Sequence, residues 1–270
     1  MSTRSEPVYA ISEFDGRTRG WIAVLALLSA VAIAGAIYQL LYGLGVTNLS
    51  DGFIWGLYIA GFMLFMAVAG GTIAIAGVIL LFGLERFMSL VRLSLLLTIA
   101  SVVVAGALIV IDLGNPLRAV GIYIWAQPYS PLVGDFVVVH LFIILSLVLL
   151  WLLSRRELAA QGSRLAFGAV DTPEGRTKDR RYAKYLGGIT LASATLFYPT
   201  GWLFAVLPSR IEWFDPVLGI MAVTKSLIAG LALLIMTALI ADRVSNFEFD
   251  ENLLKPLATV LGILLVIHVI

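Results

Sequence analysis

A chain of 270 residues that is 60% hydrophobic and 13% charged, with mean hydropathy +1.00 and net charge +1, is too apolar for a water-soluble domain and has no basic excess for nucleic acid. It has no cysteine, which excludes within it an iron–sulfur cluster, a thiolate zinc site, a disulfide and a covalently attached haem. Any metal redox centre serving it must sit in a partner.

Residues 1–19 mix acids with bases and precede an apolar run that lacks a small-residue cleavage site, so they read as a cytoplasmic segment ahead of a retained helix. A bilayer core of about 30 Å takes about 20 apolar residues as helix, and seven such spans are predicted: 20–43, 53–83, 89–111, 132–154, 184–207, 215–241 and 253–270. The runs are continuous and rich in Leu, Ala, Ile and Gly, unlike the short alternating strands of a barrel. The predicted fold is all-α, a polytopic transmembrane helical bundle. Spans 1–4 occupy 20–154, a basic cytoplasmic loop 155–183, and spans 5–7 the stretch 184–270.

Fifteen of the 18 Lys and Arg residues fall on the side of the N-terminus, leaving Arg118 and Arg210 opposite and Lys225 inside span 6. The positive-inside rule places the N-terminus in the cytoplasm and Asp112, Arg118 and Asp135 at the outer face, and the expected location is the plasma membrane of a prokaryote. The basic loop reads as a solvated, topology-setting linker, with a partner dock or anionic-lipid contact as the sharper alternative. The glycine-dense "AVAGGTIAIAG" of span 2 reads as a site of close helix approach. No phosphate-binding loop, dinucleotide fingerprint, His-Glu zinc motif or serine elbow occurs.

The ionisable residues carry the chemistry. Asp112 precedes a Gly turn and Asp135 lies in the first turn of span 4, where a helix N-terminus favours an anion, so each alone reads equally well as an interfacial cap. Arg118 could pair with Asp112 across "LGNPL". Both acids nevertheless converge on one boundary beside Tyr123, Trp125 and Tyr129. A quinone needs hydrogen-bond partners for two carbonyls and an acid or base to exchange its two protons, which such a pocket supplies. Lys225, about 15 Å into span 6, is expected to face the bundle interior, as a structural pair or a proton-relay member. His140 lies some 140° around its helix from Asp135, as an inward relay station or a buried polar residue. With His268 it could in principle ligate one haem.

Four segments in series carry a resemblance: "GLGVTNLSDGFIWGLYIAGFMLFMAVAGG" (43–71), "DLGNPLR" (112–118), "SPLVGDF" (130–136) and "YPTGWLFAVLPSRIEWFDPVLGIMAVTKSLIAG" (198–230). Together they resemble the NrfD or polysulfide-reductase membrane-subunit family, in its longer branch found with hydrogenases, sulfur-metabolism complexes and alternative complex III. The resemblance implies a quinone or quinol module of menaquinone or ubiquinone type, without haem of its own. It also implies docking of a ferredoxin-like iron–sulfur subunit on the outer face, with a molybdopterin or other catalytic subunit beyond. Carried over by motif, Asp112 and Asp135 become proton-exchange residues, and Trp55 and Tyr58 line the outer start of span 2. Tyr198 stands where relatives often have His or Asp, and Gly134 where they have Trp. Lys225 has no counterpart in the family pattern.

The resemblance further implies more helices than these 270 residues hold, so a longer parent chain is expected. The expected function is a quinone-handling subunit exchanging electrons with a partner's iron–sulfur cluster, with proton translocation through His140 and Lys225 left open. Arg118 would orient an acid or headgroup, and Tyr58 and Tyr198 would supply hydrogen bonds. The rival readings are a secondary transporter built on Lys225 and a one-haem cytochrome b anchor.

Overall fold

The computed structural model describes residues 16–50, 52, 55–195, 216–244 and 251–269, and among these every regular element is helical. In chain order they are α1 (Gly16–Tyr42), α2 (Leu57–Phe82), α3 (Met88–Asp112), the short α4 (Gly121–Ile124), α5 (Pro131–Ala160), α6 (Pro173–Thr195), α7 (Pro216–Val244) and α8 (Glu251–Val269). Local chemistry sets several ends. Proline opens α5 and α6, where a missing N–H costs nothing, and Thr172 Oγ1 caps α6 by accepting from the Gly175 amide at 3.1 Å. Gly83 closes α2 in the left-handed conformation (φ 62°).

Six described helices are long and apolar enough to cross a membrane. Their outward surfaces are lined with exposed Leu, Ile, Val, Tyr and Trp, a coat that only lipid or protein neighbours tolerate. The chain is a multi-pass membrane protein. The fifth expected span, 184–207, begins inside α6, and its residues 196–207 lie outside the described ones. Much of 155–183 is helix: α5 runs on to Ala160 and α6 starts at Pro173, so all of its basic residues but Arg164 sit on these two helices.

The bundle is organised around α2, which packs on α3, α6 and α7. Two crossings bring backbones together. A methyl group on Gly71 would drive into the Ser226 carbonyl oxygen of α7, and one on Gly230 would come within 2.6 Å of the Gly71 carbonyl carbon. On another face, a methyl on Gly77 would meet the Leu191 amide nitrogen of α6 at 2.9 Å, and one on Gly187 would meet Leu80 Cβ at 2.6 Å. Lipid tails are as apolar as leucine, so helix association depends on such close packing and on hydrogen bonds between helices. Ser226 Oγ donates to the Ala67 carbonyl at 2.8 Å, and the Thr72 and Thr98 hydroxyls join α2 to α3 at 2.8 Å. Around this spine lie two apolar clusters. One, near the N-terminal end of α2, gathers Phe62, Met66, Ile73, Val102, Val138 and Phe142; the other, near its C-terminal end, gathers Ile79, Leu90, Leu95, Leu149 and Leu234 among others. By contrast α1 is exposed along most of its length and touches the bundle at its C-terminal end.

The basic end is held by ion pairs. Arg155 and Arg156 of α5 both grip Asp179 of α6, with Arg155 Nε and Arg156 Nε each donating to Oδ2, at 2.9 and 2.7 Å. Arg92 of α3 donates to Glu157 at 2.9 Å and to the Leu153 carbonyl at 2.7 Å. Burial opposes the charge on Asp179, but the hydrogen bonds from the two guanidinium groups outweigh it and bring its pKa down to about 2.

Gly71→Ala should lower stability by about 2–3 kcal/mol in detergent unfolding titrations, because backbone cannot yield as a side chain does. Gly106→Ala, at a position with open space, should be neutral or slightly stabilising. Because the Asp179 pKa is depressed, its contribution is full above the unfolded value of about 4 and disappears as pH falls through about 2. Asp179→Asn should therefore cost about 2 kcal/mol at neutral pH and much less in acid, measured by unfolding across that range.

Candidate functional site

At the end of the bundle opposite the ion pairs, three elements place polar side chains one turn beyond the same apolar cluster. Tyr58 precedes Phe62 by four residues, Asp112 follows Ile109 by three, and Asp135 precedes Val138 by three, each offset being about one helical turn. Asp135 is buried, at 4% exposure, on the inward stripe of α5 that continues through Val138, Phe142 and Leu145. Asp112 is half-buried at the last turn of α3.

Tyr58 is fixed by a residue that sequence reasoning missed. Its hydroxyl donates to Gln39 Oε1, and Gln39 Nε2 donates to the Ile111 carbonyl at 3.2 Å, one residue before Asp112. Gln39 is 3% exposed although the rest of α1 stands in the open. The available signal was an amide inside the apolar run "AIYQLLY", since an intramembrane polar group needs a protein partner. The corner thus satisfies its amide and its phenol. Asp112 Oδ1, by contrast, is buried and makes no hydrogen bond among the described residues.

Other predicted residues fall differently. Arg118 is exposed in the connector between α3 and α4, and no salt bridge to Asp112 forms among the described residues. Trp55 is half-buried immediately before α2, and Tyr198 lies outside the described residues. Lys225 is exposed, contrary to the inward placement expected of it. Ser226 and Gly230 turn toward α2, and one residue is a rotation of about 100°, which carries Lys225 off that face.

His140 does not share the Asp135 face, as the 140° offset requires. Its Nδ1 lies 2.7 Å from the Phe136 carbonyl and its Nε2 lies 3.0 Å from the Tyr123 hydroxyl, with the Phe136 ring tilted against it at 4.2 Å. With Nδ1 on the carbonyl, Nε2 is the nitrogen that an iron would take, and its contact with the Tyr123 hydroxyl does not suit an axial haem ligand. The shallow recess lined by Glu174, Thr177, Lys178, Arg181 and Tyr182 is at the basic end, away from these residues.

The comparisons with known proteins agree with this architecture. Residues 45–270 match the model of the NrfD polysulphide reductase family. The chain belongs to that family. It is 37% identical over all 270 residues to a putative dimethyl sulfoxide reductase membrane subunit of Halobacterium salinarum, covering 62% of that protein. It is also similar to a selenate reductase subunit of Mesobacillus selenatarsenatis (23% over 260 residues, 89% of this chain and 60% of the relative). A third relative is the Hdr-like menaquinol oxidoreductase integral membrane subunit of Archaeoglobus fulgidus (20% over 258 residues, 94% and 60%). The chain thus spans about 60% of the length of these relatives.

Tyr58→Phe removes the donor to Gln39 Oε1 while keeping the ring. It should lower stability by about 1 kcal/mol in thermal unfolding, and a matched Gln39→Leu change should largely abolish the effect of the second substitution.

Proposed function

We propose that this chain is the membrane-embedded quinone- or quinol-handling subunit of an oxidoreductase complex, with its site at the Asp112 and Asp135 end of the bundle. The observation that carries the reading is the buried Oδ1 of Asp112, which makes no hydrogen bond among the described residues although Gln39 and Tyr58 beside it are bonded to one another. A buried carboxyl oxygen without a hydrogen bond is matched by a ligand oxygen that accepts from its protonated form or donates to its ionised form. Tyr58 is held in place by Gln39, and Trp55 lies beside the start of α2 to add apolar surface for a ring. A bound quinone would supply the two-electron carrier, while Asp112 and Asp135 would take up or release the accompanying protons.

The names of the relatives support the same assignment. A dimethyl sulfoxide reductase membrane subunit, a selenate reductase subunit and a menaquinol oxidoreductase membrane subunit all point to a chain that serves a catalytic partner. The partner proposed here is an iron–sulfur subunit docked over the Asp112 and Asp135 end, with a molybdopterin or other catalytic subunit beyond it. Since this chain has no cysteine, the electrons must leave or arrive through such a partner. The excess of basic residues at the opposite end supports a cytoplasmic N-terminus and an outward-facing site. Arg118, exposed beside this end, suits a lipid headgroup or a partner acid. Tyr198 is retained as a proposed hydrogen-bond donor from the motif alone. The exposure of Lys225 counts against a transporter with a buried coupling charge.

In the complex purified with its native partners, Asp112→Asn and Asp135→Asn should each lower quinol-analogue-dependent electron transfer by about 100-fold or more, with assembly and melting temperature retained. Full activity in both variants would overturn the assignment.

A further inference from the structure

The surroundings of His140 determine which way it can pass a proton. A carbonyl oxygen only accepts hydrogen bonds, so the 2.7 Å approach of Nδ1 to the Phe136 carbonyl requires Nδ1 to carry a hydrogen. In the neutral ring Nε2 is then the bare nitrogen, and the Tyr123 hydroxyl donates to it across 3.0 Å. Phe136 packs on both partners, edge-on to Tyr123 at 4.6 Å and tilted against His140 at 4.2 Å, which restrains both rings. Tyr123 belongs to α4, between the end of α3 at Asp112 and the start of α5 at Pro131, and is 64% exposed. His140 lies nine residues into α5, about 13 Å along it.

We propose that Tyr123 and His140 form a proton-exchange couple open only toward the Asp112 and Asp135 end, so that His140 is a terminal station and not a link in an inward relay. The step is a paired transfer. The Tyr123 O–H bond breaks as an Nε2–H bond forms, and the phenol oxygen takes a replacement proton from the group it faces. The reverse returns it. Onward passage would require the Nδ1 proton to leave, and its partner is a peptide carbonyl of the same helix, which does not take up a proton. The imidazolium therefore stores one proton and gives it back through Tyr123. That the group facing Tyr123 is a reduced quinone rather than interfacial water rests on the reading above; the one-sided exchange does not.

The test is nuclear magnetic resonance of the full-length membrane protein, labelled with 15N at histidine and held in lipid bilayers without quinone. The 270 residues contain two histidines, and loss of a signal in His140→Gln assigns the ring. The expected result is a neutral ring protonated at Nδ1. On acidification Nε2 gains its proton, and in deuterated water the Nδ1 hydrogen exchanges far more slowly than the one on Nε2. Tyr123→Phe keeps the ring packing and should shift the Nε2 resonance while leaving Nδ1 in place. A ring protonated at Nε2 when neutral, an indifferent Nε2 in Tyr123→Phe, or equally fast exchange at both nitrogens would each overturn the couple. Because no quinone is present, such a failure leaves the Asp112 and Asp135 assignment to its own activity test.

Discussion

Backbone contact along α2 is the constraint on which the rest of this structure depends. Its glycines at 71 and 77 let α7 and α6 approach to distances at which a single methyl group has no room. In a bilayer there is little to gain from moving leucine out of lipid, so a bundle must be held by dispersion at short range and by hydrogen bonds that replace unsatisfied ones. The Ser226 and Thr72–Thr98 bonds lie within about a turn of the Gly71 contact. Together they set the rotation and the height of each helix about α2.

Rotation is what turns residues into a site. With Ser226 and Gly230 directed at α2, Lys225 is carried outward. With Val138, Phe142 and Leu145 directed at the cluster below, Asp135 must lie in the same stripe and is buried, while Phe136 and His140 turn to a different neighbour, Tyr123. The two ends of the bundle then differ in how their charges are settled. At the basic end Asp179 is chelated by two arginines and Glu157 is paired with Arg92, so the polar groups rigidify the fold. At the other end the amide and phenol of Gln39 and Tyr58 are bonded, yet a carboxylate oxygen of Asp112 is not.

Several expectations formed from residue order alone agree with the structure for physical reasons that can be named. The spans at 20–43, 53–83, 89–111 and 132–154 correspond to α1, α2, α3 and α5, because length and apolarity measure the bilayer directly. The glycine-dense run of span 2 marked the close crossings. The 140° separation of Asp135 and His140 follows from helix geometry and is observed. Two side-chain placements differ: Arg118 forms no salt bridge with Asp112 among the described residues, and Lys225 does not face inward, while Gln39, hidden in a hydrophobic run, was passed over although it orients Tyr58.

The sequence by itself determined that this chain resides in a membrane, that it crosses as helices, which end carries the basic charge, and which acids sit at the other boundary. These depend on transfer of residues between water and hydrocarbon, a quantity summed along the chain and indifferent to neighbours. Only the tertiary structure decided which of those polar groups are satisfied, that Gln39 joins the corner, that His140 bonds to Tyr123 and a carbonyl, and that Lys225 is exposed. A partner requires a rotation and a height for each helix, and a helix turns about 100° per residue, so a side chain's surroundings are settled only when glycine meets backbone across α2.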